Sequence, residues 1–297
     1  MGHGIRWTGW RRSIRRGVVL AMLSTLVLIL GVPSAHAASI SVKRNDYNAD
    51  GISDIVAMIV GGDCLYRWNG NSSGSFNAGQ SVGCGWSNYF DTLTAVGDIN
   101  DDGNGDLVAI FNNTLYRWFG TGGGNFTFAG TYGSGWGRYF EPVGVGDISG
   151  DGVGDLVAFN FANNTKVMYR WFGNGNGGFN FAGTAGSGWE QYHDYAGVGD
   201  INSDGLSRGD LVAVADGVLH RWFGTSGGNF SYGGTLGSGW GAYDQLAGLG
   251  NLGGGGAGDL VAINVGASEL WRWFGNGSGG FGAGSRLISF ATDWRIQ

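Results

Sequence analysis

Aspartate-rich loops recur along the chain, with oxygen side chains at their first, third, fifth and ninth positions. Residues 98–109 read Asp-Ile-Asn-Asp-Asp-Gly-Asn-Gly-Asp-Leu-Val-Ala. Asp98, Asn100, Asp102 and Asp106 supply the oxygens, Gly103 permits a sharp turn, and a backbone carbonyl at the seventh position completes a shell that suits a hard cation such as calcium. The first loop offers Asp46, Asn48, Asp50 and Asp54 around Gly51, and the third Asp147, Ser149, Asp151 and Asp155 around Gly152. A plain Asx-turn needs no acid at the ninth position of every copy. Three structural calcium ions are therefore expected. The fourth loop has Asp200, Asn202 and Asp204, but its closing acid comes two residues late, at Asp210, which leaves its occupancy open. The fifth keeps only Asn251 and Asp259, and no metal is expected there.

These loops open at Asp46, Asp98, Asp147, Asp200 and Asn251, at intervals of 52, 49, 53 and 51 residues. A period of about 50 means a repeat architecture in which each unit buries its apolar face against its neighbours. Within the second unit, residues 107–111 form an apolar run, Asn112-Asn113 is a turn, and residues 115–119 form a second strand. A Gly-rich break precedes a third strand at residues 126–129, and Gly133-Ser134-Gly135-Trp136 precedes a fourth at residues 141–145. Apolar runs of this length ending at glycine exclude amphipathic helices. Four antiparallel strands per unit predict an all-β fold, a five-bladed β-propeller of four-stranded blades. Residues 39–43 precede the first loop as residues 93–96 precede the second, so they are expected to supply the strand missing from the last blade.

Residues 1–37 read as an export signal: Arg11, Arg12, Arg15 and Arg16 precede an apolar run from Val18 to Val32, then Ala35-His36-Ala37 in small-x-small form. The Arg11-Arg12 pair leaves general secretion and twin-arginine export both open. The mature propeller, residues 38–297, is expected to be secreted, and no later segment approaches the roughly 20 apolar residues of a membrane span. Cleavage removes five of 17 basic residues and no acids, leaving 12 against 23, a net charge of −11. Nucleic acid is not an expected partner, since its binding needs a basic surface. Cys64 and Cys84 are the only cysteines, and an exported chain with two reads as one disulfide. They fall in two segments of one blade, and closing that loop is worth about 3 kcal/mol in the entropic model.

The acidic loops, followed by Asp-Leu-Val-Ala and later by Phe-Gly before a Gly-rich turn, resemble the FG-GAP (VCBS) repeat family known from integrin α-subunit propellers. The resemblance spans residues 39–290. It implies structural calcium sites and a propeller that usually has seven blades, which this chain would reach only if a neighbouring chain contributed two. The five-unit count and the Gly- and Trp-rich blades also resemble tachylectin-type lectins.

Two aromatic series remain. Tyr-Arg-Trp recurs at residues 66–68, 116–118 and 169–171, then as His-Arg-Trp at 220–222 and Trp-Arg-Trp at 271–273. Residues two apart share a strand face, so each aromatic pair packs one way and the arginine points the other. In the second series, Trp86 and Tyr89, Trp136 and Tyr139, Trp189 and Tyr192, and Trp240 and Tyr243 follow glycine-flanked turns. Tryptophan faces stack on the apolar face of a sugar ring, and these eight residues are the candidate glycan contacts, with blade packing as the alternative.

Catalysis has little to draw on. After the signal only His193 and His220 remain, both in variable slots of the repeat. Gly173-x-Gly175-x-x-Gly178 matches a dinucleotide fingerprint but joins two strands and opens no helix. Arg208-Gly209-Asp210 spells an adhesion tripeptide, although Asp210 reads better as a displaced metal ligand. The expected function is that of a secreted, calcium-stabilised, non-enzymatic recognition module. It would act as a monomer and as a multivalent lectin-like binder of an extracellular glycan. The alternative is a scaffold or assembly subunit that binds a cell-surface protein.

Overall fold

The computed structural model describes residues 44–204, 206, 208–289 and 294–297; the export-signal segment and residues 39–43 lie outside them. Among these described residues, twenty strands form five four-stranded antiparallel sheets. The first blade contains β1 (Ile55–Ile59), β2 (Cys64–Trp68) and β3 (Gln80–Cys84). The second contains β4 (Thr94–Gly97), β5 (Asp106–Phe111), β6 (Thr114–Gly120) and β7 (Phe126–Ser134). In the third are β8 (Phe140–Gly146), β9 (Asp155–Ala162), β10 (Thr165–Gly173) and β11 (Phe179–Ser187). The fourth has β12 (His193–Gly199), β13 (Asp210–Ala215), β14 (Val218–Gly224) and β15 (Phe230–Ser238), and the fifth β16 (Tyr243–Leu249), β17 (Asp259–Asn264), β18 (Glu269–Trp273) and β19 (Ser285–Ser289). The last strand, β20 (Trp294–Ile296), pairs antiparallel with β1 and completes the first blade.

Two expectations need correction. The fifth blade already has four strands of its own, so it has no gap for residues 39–43 to fill; the ring is closed by the C-terminal strand in the first blade. The sequence unit is also offset from the blade by one strand. Residues 140–146, the fourth strand of the second unit, pair with β9 and serve as the inner strand of the third blade. A chain that runs from the outer strand of one blade straight into the inner strand of the next ties neighbouring blades covalently.

Alternation on the second strand of each blade explains its fully apolar sequence. Leu107 and Ala109 pack with Val56, Met58 and Leu65 of the first blade, while Val108 and Ile110 pack with Leu156 and Ala158 of the third. A strand buried on both faces has no polar side to show. Five such clusters lie between neighbouring blades, and the fifth joins Val261 and Ile263 to Ile55, Ala57 and Ile296, so packing closes the ring. The inner strands β4, β8, β12, β16 and β20 pack side by side. Glycine makes this possible: a β-carbon at Gly144, Gly197 or Gly248 would fall onto a carbonyl oxygen of the preceding blade. The buried Arg44 bridges two of these strands, Nε donating to the Gly248 carbonyl at 3.2 Å and Nη2 to that of Gly144.

The Tyr-Arg-Trp arginines link the blades from outside. Arg117 donates to the Gly177 carbonyl, Arg170 to Gly228 and Arg221 to Gly279, each in the Gly-rich turn of the next blade. Arg272 reaches the Ser73 carbonyl of the first blade at 3.2 Å, so these links run from the second blade round to the first. Each of these four guanidiniums also lies over the phenylalanine two residues on, 4.5–5.8 Å from the ring centre. Cys64 and Cys84 face each other across β2 and β3 and are joined by a disulfide. Among the described residues no helix is long and apolar enough to cross a membrane.

Candidate functional site

The first three acidic loops are each turned by their own first acid. Asp46 Oδ2 accepts the Gly51 N–H at 3.0 Å and Asp98 Oδ2 that of Gly103 at 2.7 Å. Gly51, Gly103 and Gly152 have φ of +85°, +86° and +89°, a left-handed region that glycine enters without strain. The third and fifth residues are already in contact: Asn48 Nδ2 donates to Asp50 Oδ2 at 2.9 Å, and Asn100 to Asp102 likewise. In the third loop Ser149 Oγ instead donates back to Asp147 Oδ1 at 3.2 Å. The fourth loop brings Asn202 Nδ2 to Asp204 Oδ2 at 3.2 Å.

The ninth-position acids have a task of their own. Asp54 accepts the Tyr47 N–H on one oxygen and the Gly70 N–H on the other, at 3.0 and 2.9 Å. Asp106 joins Ile99 to Gly120, Asp155 joins Ile148 to Gly173, and Asp210 joins Ile201 to Gly224. Asp259 does the same for Leu252 and Gly275, although its loop lacks the rest of the ligand set. This carboxylate therefore pins the loop to the residue that opens the Gly-rich turn, in all five blades and whatever the loop length. In four blades that residue is the glycine of Phe-Gly. The two-residue delay that makes Asp210 look displaced leaves its bonds unchanged.

Burial pushes Asp54, Asp106, Asp155 and Asp210 up to about 7; their backbone N–H partners oppose the rise and the other loop acids add to it. Burial likewise raises Asp98, Asp147 and Asp200. The donor chemistry of the first two loops, carboxylate and amide oxygens alone, fits a hard divalent cation. Among the described residues no three acids, histidines or cysteines gather into a metal-holding group. A cation would have to draw on Asn48 or Asn100 and on backbone oxygens beside Asp46 and Asp50, or Asp98 and Asp102. Arg208-Gly209-Asp210 is closed to an adhesion receptor, because Asp210 is 1% exposed and the Arg208 side chain 14%.

The turn tryptophans belong to the blade interfaces. Trp86, Trp136, Trp189 and Trp240 are 6–8% exposed, and their rings lie 4.7–4.9 Å from those of Trp118, Trp171, Trp222 and Trp273. Trp86, Trp136 and Trp240 sit at the start of one-turn 3-10 helices that fold the ring under the following blade. Tyr89, Tyr139, Tyr192 and Tyr243 meet the same strand tryptophans edge-on at 4.7–4.9 Å and are half-buried. The tryptophans thus offer no open face to a sugar, while the tyrosines keep an accessible edge.

The open rings are ones that sequence reasoning did not single out. Phe128, Phe181 and Tyr232 are 55%, 61% and 55% exposed, at the third position of β7, β11 and β15 in three consecutive blades. Phe128 lies along Tyr116 and Trp118 at 6.2 and 5.6 Å, and Phe181 along Tyr169 and Trp171 at 6.4 and 5.6 Å. Tyr232 repeats the arrangement with His220 and Trp222, its hydroxyl 3.0 Å from His220 Nδ1. Tyr89, Tyr139 and Tyr192 extend each ladder beyond Tyr116, Tyr169 and His220 at 5.2–5.4 Å. The first and fifth blades carry Ala78 and Ala283 in place of the open ring. That contrast was the available signal. The other histidine, His193, bonds Asp194 through Nδ1 at 2.6 Å.

A sequence model of the FG-GAP-like repeat matches residues 98–158. No curated protein matches the chain. Among solved structures, one on specific recognition of non-reducing terminal N-acetylglucosamine by an Agrocybe aegerita lectin is 16% identical over 85% of this chain and 83% of that one, with a TM-score of 0.41. A Photorhabdus luminescens Tc holotoxin pore is 18% identical over 75% of this chain but 11% of its own, with a TM-score of 0.40. A functionally unknown protein from Desulfotomaculum acetoxidans is 12% identical over 80% of this chain and 67% of its own, at 0.41. Likenesses this distant say nothing about a ligand. The matched segment spans the acidic loop, the Phe-Gly strand and the next inner strand, so the protein is a five-bladed β-propeller of which residues 98–158 match the FG-GAP-like repeat.

Proposed function

We propose that this propeller is a secreted, calcium-stabilised recognition module that binds extracellular glycans at several near-equivalent sites and catalyses no reaction. The observation that carries the reading is the recurrence of Phe128, Phe181 and Tyr232 as open rings on successive blades. The exposed ring at the end of each ladder is about the size of one pyranose face, and the hydroxyls of the flanking tyrosines can take hydrogen bonds from the sugar's polar edge. One such contact is weak. Three on a rigid body supply avidity on a surface that presents many sugars.

Calcium is supported by the oxygen donors of the first two loops and by the cost of burying their acids, which a cation would relieve. Secretion is supported by the signal-like segment in residues 1–37 and by the Cys64–Cys84 disulfide, a bond that persists in oxidising compartments. A protein-binding scaffold is the second reading. It is favoured by the exposed Val60, Phe161 and Val265, which lie at the β1–β2, β9–β10 and β17–β18 turns, between the second and third strands of three sheets.

Applied to a glycan array in calcium-containing buffer, the folded mature protein is expected to retain a defined subset of immobilised sugars and to lose them on competition with the same free sugars. A folded sample that binds nothing on the array refutes the lectin reading.

A further inference from the structure

The fourth loop differs from its relatives by two extra residues, and their effect falls on the third. In four blades the glycine before the closing acid of the loop donates its N–H to the carbonyl of the first residue of the preceding loop, and in the first blade Ser53 does so to Asn251 at 3.0 Å. Gly105 donates to Asp46, Gly154 to Asp98, Gly209 to Asp147 and Gly258 to Asp200, at 2.9–3.1 Å. The residue just before that glycine therefore stands at the edge of the neighbouring loop. At the first, second and fourth loops it is Asn104, Val153 and Ala257; at the third it is Arg208.

Arg208 is turned into the third loop. Its Nη1 lies 3.8 Å from Asp147 Oδ1, and a β-carbon added to Gly150 would coincide with the guanidinium. Its side chain is 14% exposed, and neither Nε nor Nη1 has a hydrogen-bond partner. A buried guanidinium with so few bonds is held there by charge, and the nearest opposite charge is Asp147. Asp147 Oδ1 is already crowded, taking the Ser149 hydroxyl and the N–H groups of Gly150 and Asp151. A divalent ion on Asp147 would face a fixed positive charge at short range in a poorly solvated place.

We infer that Arg208 is the built-in counter-cation of the third loop, so that this loop takes no calcium while the loops opened by Asp46 and Asp98 do. The inference rests on the calcium reading for those two loops but makes a separate claim about the third. It replaces the three ions expected from sequence by a set from which the third loop is missing.

The test is calcium stoichiometry by elemental analysis after dialysis into millimolar calcium, with terbium luminescence as a second readout. Wild type, Arg208→Gln, Asp147→Asn and the double variant are compared, each checked for an intact unfolding transition. Arg208→Gln is expected to bind one ion more than wild type, Asp147→Asn the same number as wild type, and the double variant to lose the extra ion. Loss of an ion in Asp147→Asn, or no gain in folded Arg208→Gln, overturns the inference. Wild type binding no ion at all would overturn the calcium reading of the first two loops, while a gain in Arg208→Gln would still establish the role of Arg208.

Discussion

Replacing Trp189 by alanine is expected to cost about 3 to 5 kcal/mol of stability. Its indole is 6% exposed and lies 4.8 Å from Trp222, 6.0 Å from Phe159 and 5.7 Å from Tyr192. It belongs to the cluster that also holds Val157, Met168 and Leu211, the seam between the third and fourth blades. Truncation would leave a cavity in that close-packed seam that its neighbours can fill only in part. Urea unfolding of the variant reads the loss as a lower midpoint. A change below about 1 kcal/mol would mean that the ring makes no core contact of weight, because surface truncations fall in that range.

Asp259→Ala is expected to cost on the order of 2 to 5 kcal/mol, by the same amount with and without a chelator. Its oxygens accept the Leu252 and Gly253 N–H groups at 2.7 and 2.9 Å and that of Gly275 at 2.9 Å. Removing the acceptor leaves the buried Leu252 donor and the part-buried Gly275 donor unpaired, at about 1 to 3 kcal/mol apiece, while the exposed Gly253 can turn to water. The fifth loop lacks the other metal-binding residues, so this position isolates the backbone-pinning role of the ninth-position acid. Thermal unfolding in calcium and in chelator measures both arms. A loss that appears only in calcium would make Asp259 a metal ligand instead.

The architecture was legible because its signals are periodic. Asp-Leu-Val-Ala, or Asp-Ile-Val-Ala in the first unit, marked a short apolar strand in each unit, and Tyr-Arg-Trp or its His-Arg-Trp variant marked the strand beside it, with arginine turned away from the aromatics as in β6, β10 and β14. The alignment of Cys64 and Cys84 within one blade sufficed for the disulfide. Ring closure was misread because residues 39–43 and the segment around Trp294 both look like lone strands beside an incomplete blade. Only the pairing of Ala57 with Ile296 and Ile59 with Trp294 distinguishes them.

The site was less legible for a different reason. The spacing that suits a cation also suits a carboxylate that pins two backbone segments, and its second partner lies 14 to 18 residues downstream, beyond any local motif. Glycines around Trp136 and Trp240 suggested exposure. They instead adopt φ of +94° and +95° at Gly135 and Gly239, which turns each indole back into the protein. Phe128, Phe181 and Tyr232 follow a buried or partly buried aromatic at i−2 on an outer strand, and alternation alone cannot distinguish a covered ring from an open one at a sheet edge.

The central claim is that recognition resides in those three open rings, and it is tested most directly on the triple variant Phe128→Ser, Phe181→Ser, Tyr232→Ser. Retention on the glycan surface that wild type prefers is measured together with thermal unfolding of the same sample. Because the rings are more than half exposed, the variant is expected to unfold close to wild type and to lose at least tenfold in retention. A folded triple variant that binds as wild type does would contradict the account.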